Sequence, residues 1–183
     1  MRTKTLATTG APEALLFLAD EHALLRRLLG DFERDMPDDP QQSAARLEEV
    51  RTALQIHTQL EEELFYPAIL ETRAGNARTL RTLGDAAVAH ATIAGLIERL
   101  ELISPADPGY GDTFGFLAQA VRRHLEEEER MLFPLFRRSR IELHRLGARM
   151  AARKVALAVE LGVSSPGDTE DAEEADEAAT VRV

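Results

Sequence analysis

The chain has 183 residues, 44% hydrophobic and 30% charged, the balance of an ordinary globular protein and enough for one domain with a buried core. It contains no cysteine, which excludes disulfides, zinc–thiolate sites, iron–sulfur clusters and thiol catalysis, so any metal must be held by imidazole and carboxylate. Of the net charge of −10, residues 164–183 carry −6 (seven acids, one arginine), and the remaining −4 does not favour a nucleic-acid partner.

Residues 1–11 are Thr-rich and patternless and are expected to form a flexible arm. A first helix is predicted from near Pro12, a residue suited to a first helical position, to near Met36. Its apolar stretch Ala14–Ala19 runs into Asp20-Glu21-His22, a poor signal peptide, and no run in the chain reaches the length of a membrane span. The sequence therefore reads as cytoplasmic, with no membrane partner. Asp39-Pro40 reads as an N-cap and first turn, opening a second helix from about Gln41 to Thr72, which Gly75-Asn76 breaks. A third helix is predicted over 78–103. Residues 104–111 form a Pro/Gly loop, and Asp112 is expected to cap a fourth helix ending near Arg138. A fifth helix follows over 141–161, and the acidic tail 162–183 is expected to be disordered.

Long helices with short connections indicate an all-α, up-down-up-down four-helix bundle over 12–138, with an additional C-terminal helix within 139–161. Steps of three and four residues trace the seam of each helix. The first shows Leu15, Leu18, His22, Leu25, Leu29 and Phe32. The second shows Leu47, Val50, Leu54, His57, Glu61, Leu64 and Ala68. The third shows Leu83, Ala86, His90, Ile93, Ile97 and Leu100, and the fourth Phe114, Leu117, Val121, His124, Glu128, Met131 and Leu135. The chain also repeats itself: His22 and His57 are 35 apart, His90 and His124 34 apart. In both His57–Pro67 and His124–Pro134, a glutamate follows the histidine by four and a proline by ten.

Four of the five histidines thus lie in the seam, one per helix, with Glu61 and Glu128 beside them. An unpaired buried carboxylate costs several kcal/mol or more, and no lysine or arginine occupies the central seam positions. A divalent cation resolves the conflict, and imidazole with carboxylate suits iron, zinc or manganese. Residues four apart share a helix face, so each His-x-x-x-Glu offers a nitrogen and an oxygen to one point. A lone seam histidine is usually a hydrogen-bonded core residue, and one such pair is common by chance. Two copies in phase with two further seam histidines argue against a metal-free bundle. Ferritin-like bundles use Glu-x-x-His, but Leu54 and Val121 stand three before these histidines, so that class does not fit.

On Asp20-Glu21-His22, His57–Pro67, His90 and His124–Pro134, the sequence over about 12–138 resembles the hemerythrin-like family, also called the HHE cation-binding domain. The resemblance implies two non-haem irons, oxo- or hydroxo-bridged. Glu61 and Glu128 would bridge them, with His22 and His57 on one and His90 and His124 on the other. Oxygen-carrying hemerythrins have a second histidine one turn along the third helix, where this sequence has Ala86 and Ala94. Each metal is then left with open positions. That favours reaction with dioxygen, hydrogen peroxide or nitric oxide, including catalase-like peroxide disproportionation, over reversible oxygen carriage. The alternatives are a non-catalytic iron or oxygen sensor signalling through the fifth helix, and a metal-free or zinc-bound interaction bundle. The sequence names no protein partner.

The weaker signals take blander readings. Glu62, Glu63, Glu126, Glu127 and Glu129 are expected on a solvated face, with Glu62 or Glu127 as possible supports for the ligands. Tyr66, half a turn from the ligand face, reads as packing. Pro67 and Pro134 should kink their helices just beyond the site. His144 is expected to be exposed. Arg138, Arg145, Arg149 and Arg153 form a basic stripe of solvated charge, or a docking face for the acidic tail or a partner.

Overall fold

The computed structural model describes residues 13–34, 39–72 and 76–163. The expectations for the 1–11 arm, for Pro12, Met36 and Gly75, and for the tail from 164 onward lie outside these residues. The described residues form helices α1 (Ala14–Arg34), α2 (Pro40–Leu60), α3 (Tyr66–Leu70), α4 (Ala77–Leu102), α5 (Pro108–Met131), α6 (Phe133–Arg138) and α7 (Leu143–Glu160). A π-helical turn, Glu61–Phe65, joins α2 to α3. With α2–α3 and α5–α6 counted as continuous rods, the fold is the expected four-helix bundle with α7 added, and the described residues contain no strand. No helix among them is long and apolar enough to cross a membrane.

Local chemistry sets the helix ends. The Asp39 side chain accepts the Gln41 N–H at 3.0 Å with Pro40 in the first turn, as the sequence indicates. Asn76 caps α4 through the N–H groups of Arg78 and Thr79. α5 departs from expectation: it starts at Pro108, and Asp107, not Asp112, is the cap, accepting the Gly109 N–H at 2.7 Å. Asp107-Pro108 repeats the Asp39-Pro40 device, so four residues read as loop become the first turn. Gly162 ends α7 at φ +69°, a left-handed conformation that favours glycine, and Val163 N–H reaches back to Ala158 O at 2.9 Å.

The core has two apolar parts with a polar layer between them. One gathers Leu25, Leu29, Phe32, Leu54, Phe114 and Val121 with their neighbours, and the seam here is the expected one. The other gathers Leu18, Leu60, Phe65, Ile69, Phe133 and Phe136 with Leu146 and Met150 of α7. In this second part the seam slips by one residue. Phe65 and Ile69 are fully buried where Leu64 and Ala68 are predicted, and Leu132 and Phe136 where Met131 and Leu135 are predicted.

The prolines explain the slip. Pro67 has no N–H to give Glu63 O, and its ring crowds that carbonyl. The chain widens into a π turn, in which Tyr66 N–H bonds Glu61 O. Pro134 likewise breaks the α5–α6 rod at Leu132. The distortion therefore starts at Glu61 itself, not beyond the site as predicted.

α7 buries Leu146, Met150 and Leu157 against the bundle. At its edge Lys154 Nζ meets Glu21 at 2.6 Å, and Arg153 forks onto Glu63 at 2.7 and 3.1 Å. The basic stripe thus gives one member to the bundle, while Arg138, Arg145 and Arg149 are exposed, as is His144.

Candidate metal centre

The six candidate residues come together in the polar layer, each from its expected helix. His22 comes from α1, His57 from α2, Glu61 from the π turn, His90 from α4, and His124 and Glu128 from α5. All six are buried, Glu61 completely. They fall into two groups whose ligand-type atoms lie within 4.8 Å of one another: His22, His57, Glu61 and Glu128, and Glu61, His90 and His124. Glu61 belongs to both. Glu128 joins the first group and stands beside His124 in the wall of a cleft.

The contacts do not close into a hydrogen-bonded network. His57 Nε2 lies 3.0 Å from Glu61 Oε1, and His22 Nε2 3.2 Å from Glu128 Oε2. None of these four atoms has a partner in hydrogen-bond alignment, nor does Glu128 Oε1. Nε2 of His90 and of His124 face each other at 3.1 Å, and one proton at most can sit between them. Buried polar groups are normally satisfied. Unpaired nitrogens and oxygens converging on shared points are what a cation would complete, and this donor set fits one.

Around this layer, other side chains fix the candidate residues, and the sequence leaves two of them unmarked. His22 Nδ1 contacts Glu129 at 2.7 Å, and Arg26 donates to the same oxygen at 2.8 Å. Glu129, expected on a solvated face, reaches from α5 across to α1. His90 Nδ1 contacts Glu62 at 2.8 Å, the supporting role the sequence left open. With Nδ1 held by a carboxylate, each ring turns Nε2 inward, as histidines that bind metals usually do. Tyr66 is the second omission. Its hydroxyl donates to Glu61 Oε2 at 3.0 Å and its ring stacks on His90. A regular helix turns about 100° per residue and would point Tyr66 away from the face of His57. The π turn takes up one residue and brings it round. The signal was Pro67, which removes the N–H that a regular turn needs there.

The buried charges have opposed tendencies. Burial, reinforced by the charge of Glu61, pushes Glu128 well above the usual carboxylate range. Glu61 resists the same desolvation, and the neighbouring imidazoles, His57 first, hold it well below that range. Desolvation works against charge on His22 too, but the nearby carboxylates of Glu128 and Glu61 raise it to about 10. Burial holds His57 below its ordinary value. Two carboxylates and four imidazoles thus share one buried layer with opposed tendencies to hold protons.

Residues 14–136 match the hemerythrin HHE cation binding domain. The chain belongs to this family. Its fold is also that of a solved hemerythrin HHE cation-binding domain-containing protein from Mycobacterium kansasii. The TM-score is 0.70 at 24% identity, over 81% of this chain and 89% of the other. No curated protein sequence matches the chain significantly. This HHE domain thus carries buried His/Glu clusters suited to a cation.

The same geometry separates the two alanines near His90. Ala94 is exposed on the outer flank of α4, whereas Ala86 is buried beside the cleft lined by His124 and Glu128. Each alanine lines a cleft: Ala94 the one that touches His90, and Ala86 the one lined by His124 and Glu128.

Proposed function

We propose that this HHE domain holds two non-haem irons and reacts with dioxygen, hydrogen peroxide or nitric oxide, with peroxide disproportionation as its enzymatic activity. The observation that carries the reading is the single Glu61 carboxylate shared by two buried donor groups. His22, His57, Glu61 and Glu128 would hold one ion, and Glu61, His90 and His124 the other, with Glu128 able to lean toward either. Two irons so held supply paired one-electron steps, enough to convert two hydrogen peroxide molecules to two waters and one dioxygen without an outside donor.

The chain supplies the rest. Glu129 and Glu62 keep the rings of His22 and His90 oriented. The Tyr66 hydroxyl donates a hydrogen bond to Glu61 Oε2, and burial keeps that phenol neutral by raising it well above its ordinary range. The apolar parts on either side keep bulk water from the layer.

The test is elemental analysis after anaerobic iron loading, followed by oxygen evolution from peroxide with free iron removed. Two irons per chain and turnover above a Glu61→Ala control support the reading. One zinc or no metal per chain overturns it.

A second reading has its own observation. α7 bridges to the site's helices through Lys154–Glu21, one residue from His22, and Arg153–Glu63 in the π turn. A non-catalytic iron or oxygen sensor would use that linkage. Iron binding without peroxide turnover favours it.

A further inference from the structure

The two sides of the polar layer meet solvent differently. His22 and His57 are 0% and 1% exposed. On the opposite side a cleft of about 240 Å³ between α4 and α5 has His124 and Glu128 in its wall, with Ala86 beside them. Glu128 is 3% exposed and neither of its oxygens has a hydrogen-bond partner. Glu128 belongs to the candidate cation group and also lines the cleft, so the cleft opens onto the centre. A second cleft, about 310 Å³ between α2 and α4, touches His90 alone among the six residues. Both ring nitrogens of His90 already have partners, Glu62 on one and Glu61 with His124 on the other.

Resting on the two-ion reading above, we propose that small uncharged molecules reach and bind the centre through the α4–α5 cleft, past Ala86, on the His124–Glu128 side. Volume and charge define the ligand class. At roughly 30 Å³ of liquid volume per water, the cleft offers the space of about eight waters. That admits a molecule of several atoms. Asp85 and Glu127 stand at the mouth against Arg130 alone, so the formal balance there disfavours anions. Ala86 has the smallest side chain that still closes the helix face. A larger one would narrow the cleft.

The experiment uses the full-length, iron-loaded protein with iron content measured first. Stopped-flow absorbance follows azide binding to the ferric form and nitric oxide binding to the ferrous form. Asp85→Lys, on an exposed position, should speed azide association about threefold at low salt and leave nitric oxide unchanged. Glu98→Lys, at the mouth of the other cleft, should change neither. Ala86→Leu should slow both ligands about tenfold at full iron content, while Ala94→Leu should match wild type. A wild type that takes up no iron overturns both this proposal and the reading beneath it. With iron bound, faster azide in Glu98→Lys, or wild-type azide rates in Asp85→Lys, overturns the entry route alone. Should Ala86→Leu lose iron, the charge variants decide the matter.

Discussion

The two His-x-x-x-Glu copies are near-twins in sequence and unlike in the structure. Each glutamate stands four after a histidine and six before a proline. Glu61 sits in a π turn, accepts the Tyr66 hydroxyl and contacts histidines from both donor groups. Glu128 lies in regular helix, has no hydrogen-bond partner and faces a cleft. The hydrogen-bonding difference comes from the residue before each proline. Tyr66 supplies a hydroxyl to the layer, whereas Phe133 supplies only a ring, stacked on His22. A sequence repeat thus fixes where donors stand, and its neighbours decide what each donor does.

The strongest way to break the comparison is to delete each carboxylate. Glu61→Ala should abolish metal binding at both positions, because that carboxylate is shared. Glu128→Ala should prevent two-metal loading while leaving the His90 group's donors intact. Metal content per chain after iron loading measures this, and equal total loss in both variants would erase the asymmetry. His144→Ala should leave the metal content at the wild-type level.

Next in size is the aromatic packing behind Glu61, where Phe65 stacks on Phe136 with centroids 3.8 Å apart. Phe136→Ala should destabilise the metal-free protein by about 3–5 kcal/mol in urea unfolding. A loss below 1 kcal/mol would mean that the apolar part next to α7 is loosely packed.

The pH dependence of the metal-free protein comes next. His22 rises from its ordinary 6.5 to about 10, and Glu128 lies above its ordinary 4.5. Groups raised on folding contribute stability that is present below their unfolded values and lost as pH climbs through the folded ones. Glu61, lowered on folding, has the opposite dependence and adds its stability above 4.5. Between pH 7 and 10 the His22 contribution should therefore fade. The urea midpoint should fall over that range, less so in His22→Gln. A midpoint that rises with pH would show that these protons are not held as the geometry requires.

The smallest expected effect is Tyr66→Phe. Losing one hydroxyl from a buried carboxylate should cost the metal-free protein about 1–3 kcal/mol, with metal content kept at the wild-type level. A variant that loses its metal would make Tyr66 essential for holding the ions.

Much of this was legible in the sequence, for identifiable reasons. Helices of this length declare themselves through three-four spacing. His22, His57, His90 and His124 were legible because a polar residue in an apolar seam is conspicuous. Glu129 and Tyr66 were not, because each joins the site through geometry that a regular helical wheel omits: a reach across to a neighbouring helix and a slipped turn.

The sequence by itself determined the four rods and the added helix, the apolar seam on one side of the site and the six residues that meet in the polar layer. Periodicity and burial cost are properties of residues along one chain. Tertiary structure alone decided the π turn's effect on Tyr66, the pairing of Glu129 with His22, and which cleft each alanine lines. It also decided that Glu61 belongs to both donor groups. Those outcomes depend on how four rods pack side by side, where a slip of one residue changes which atoms meet.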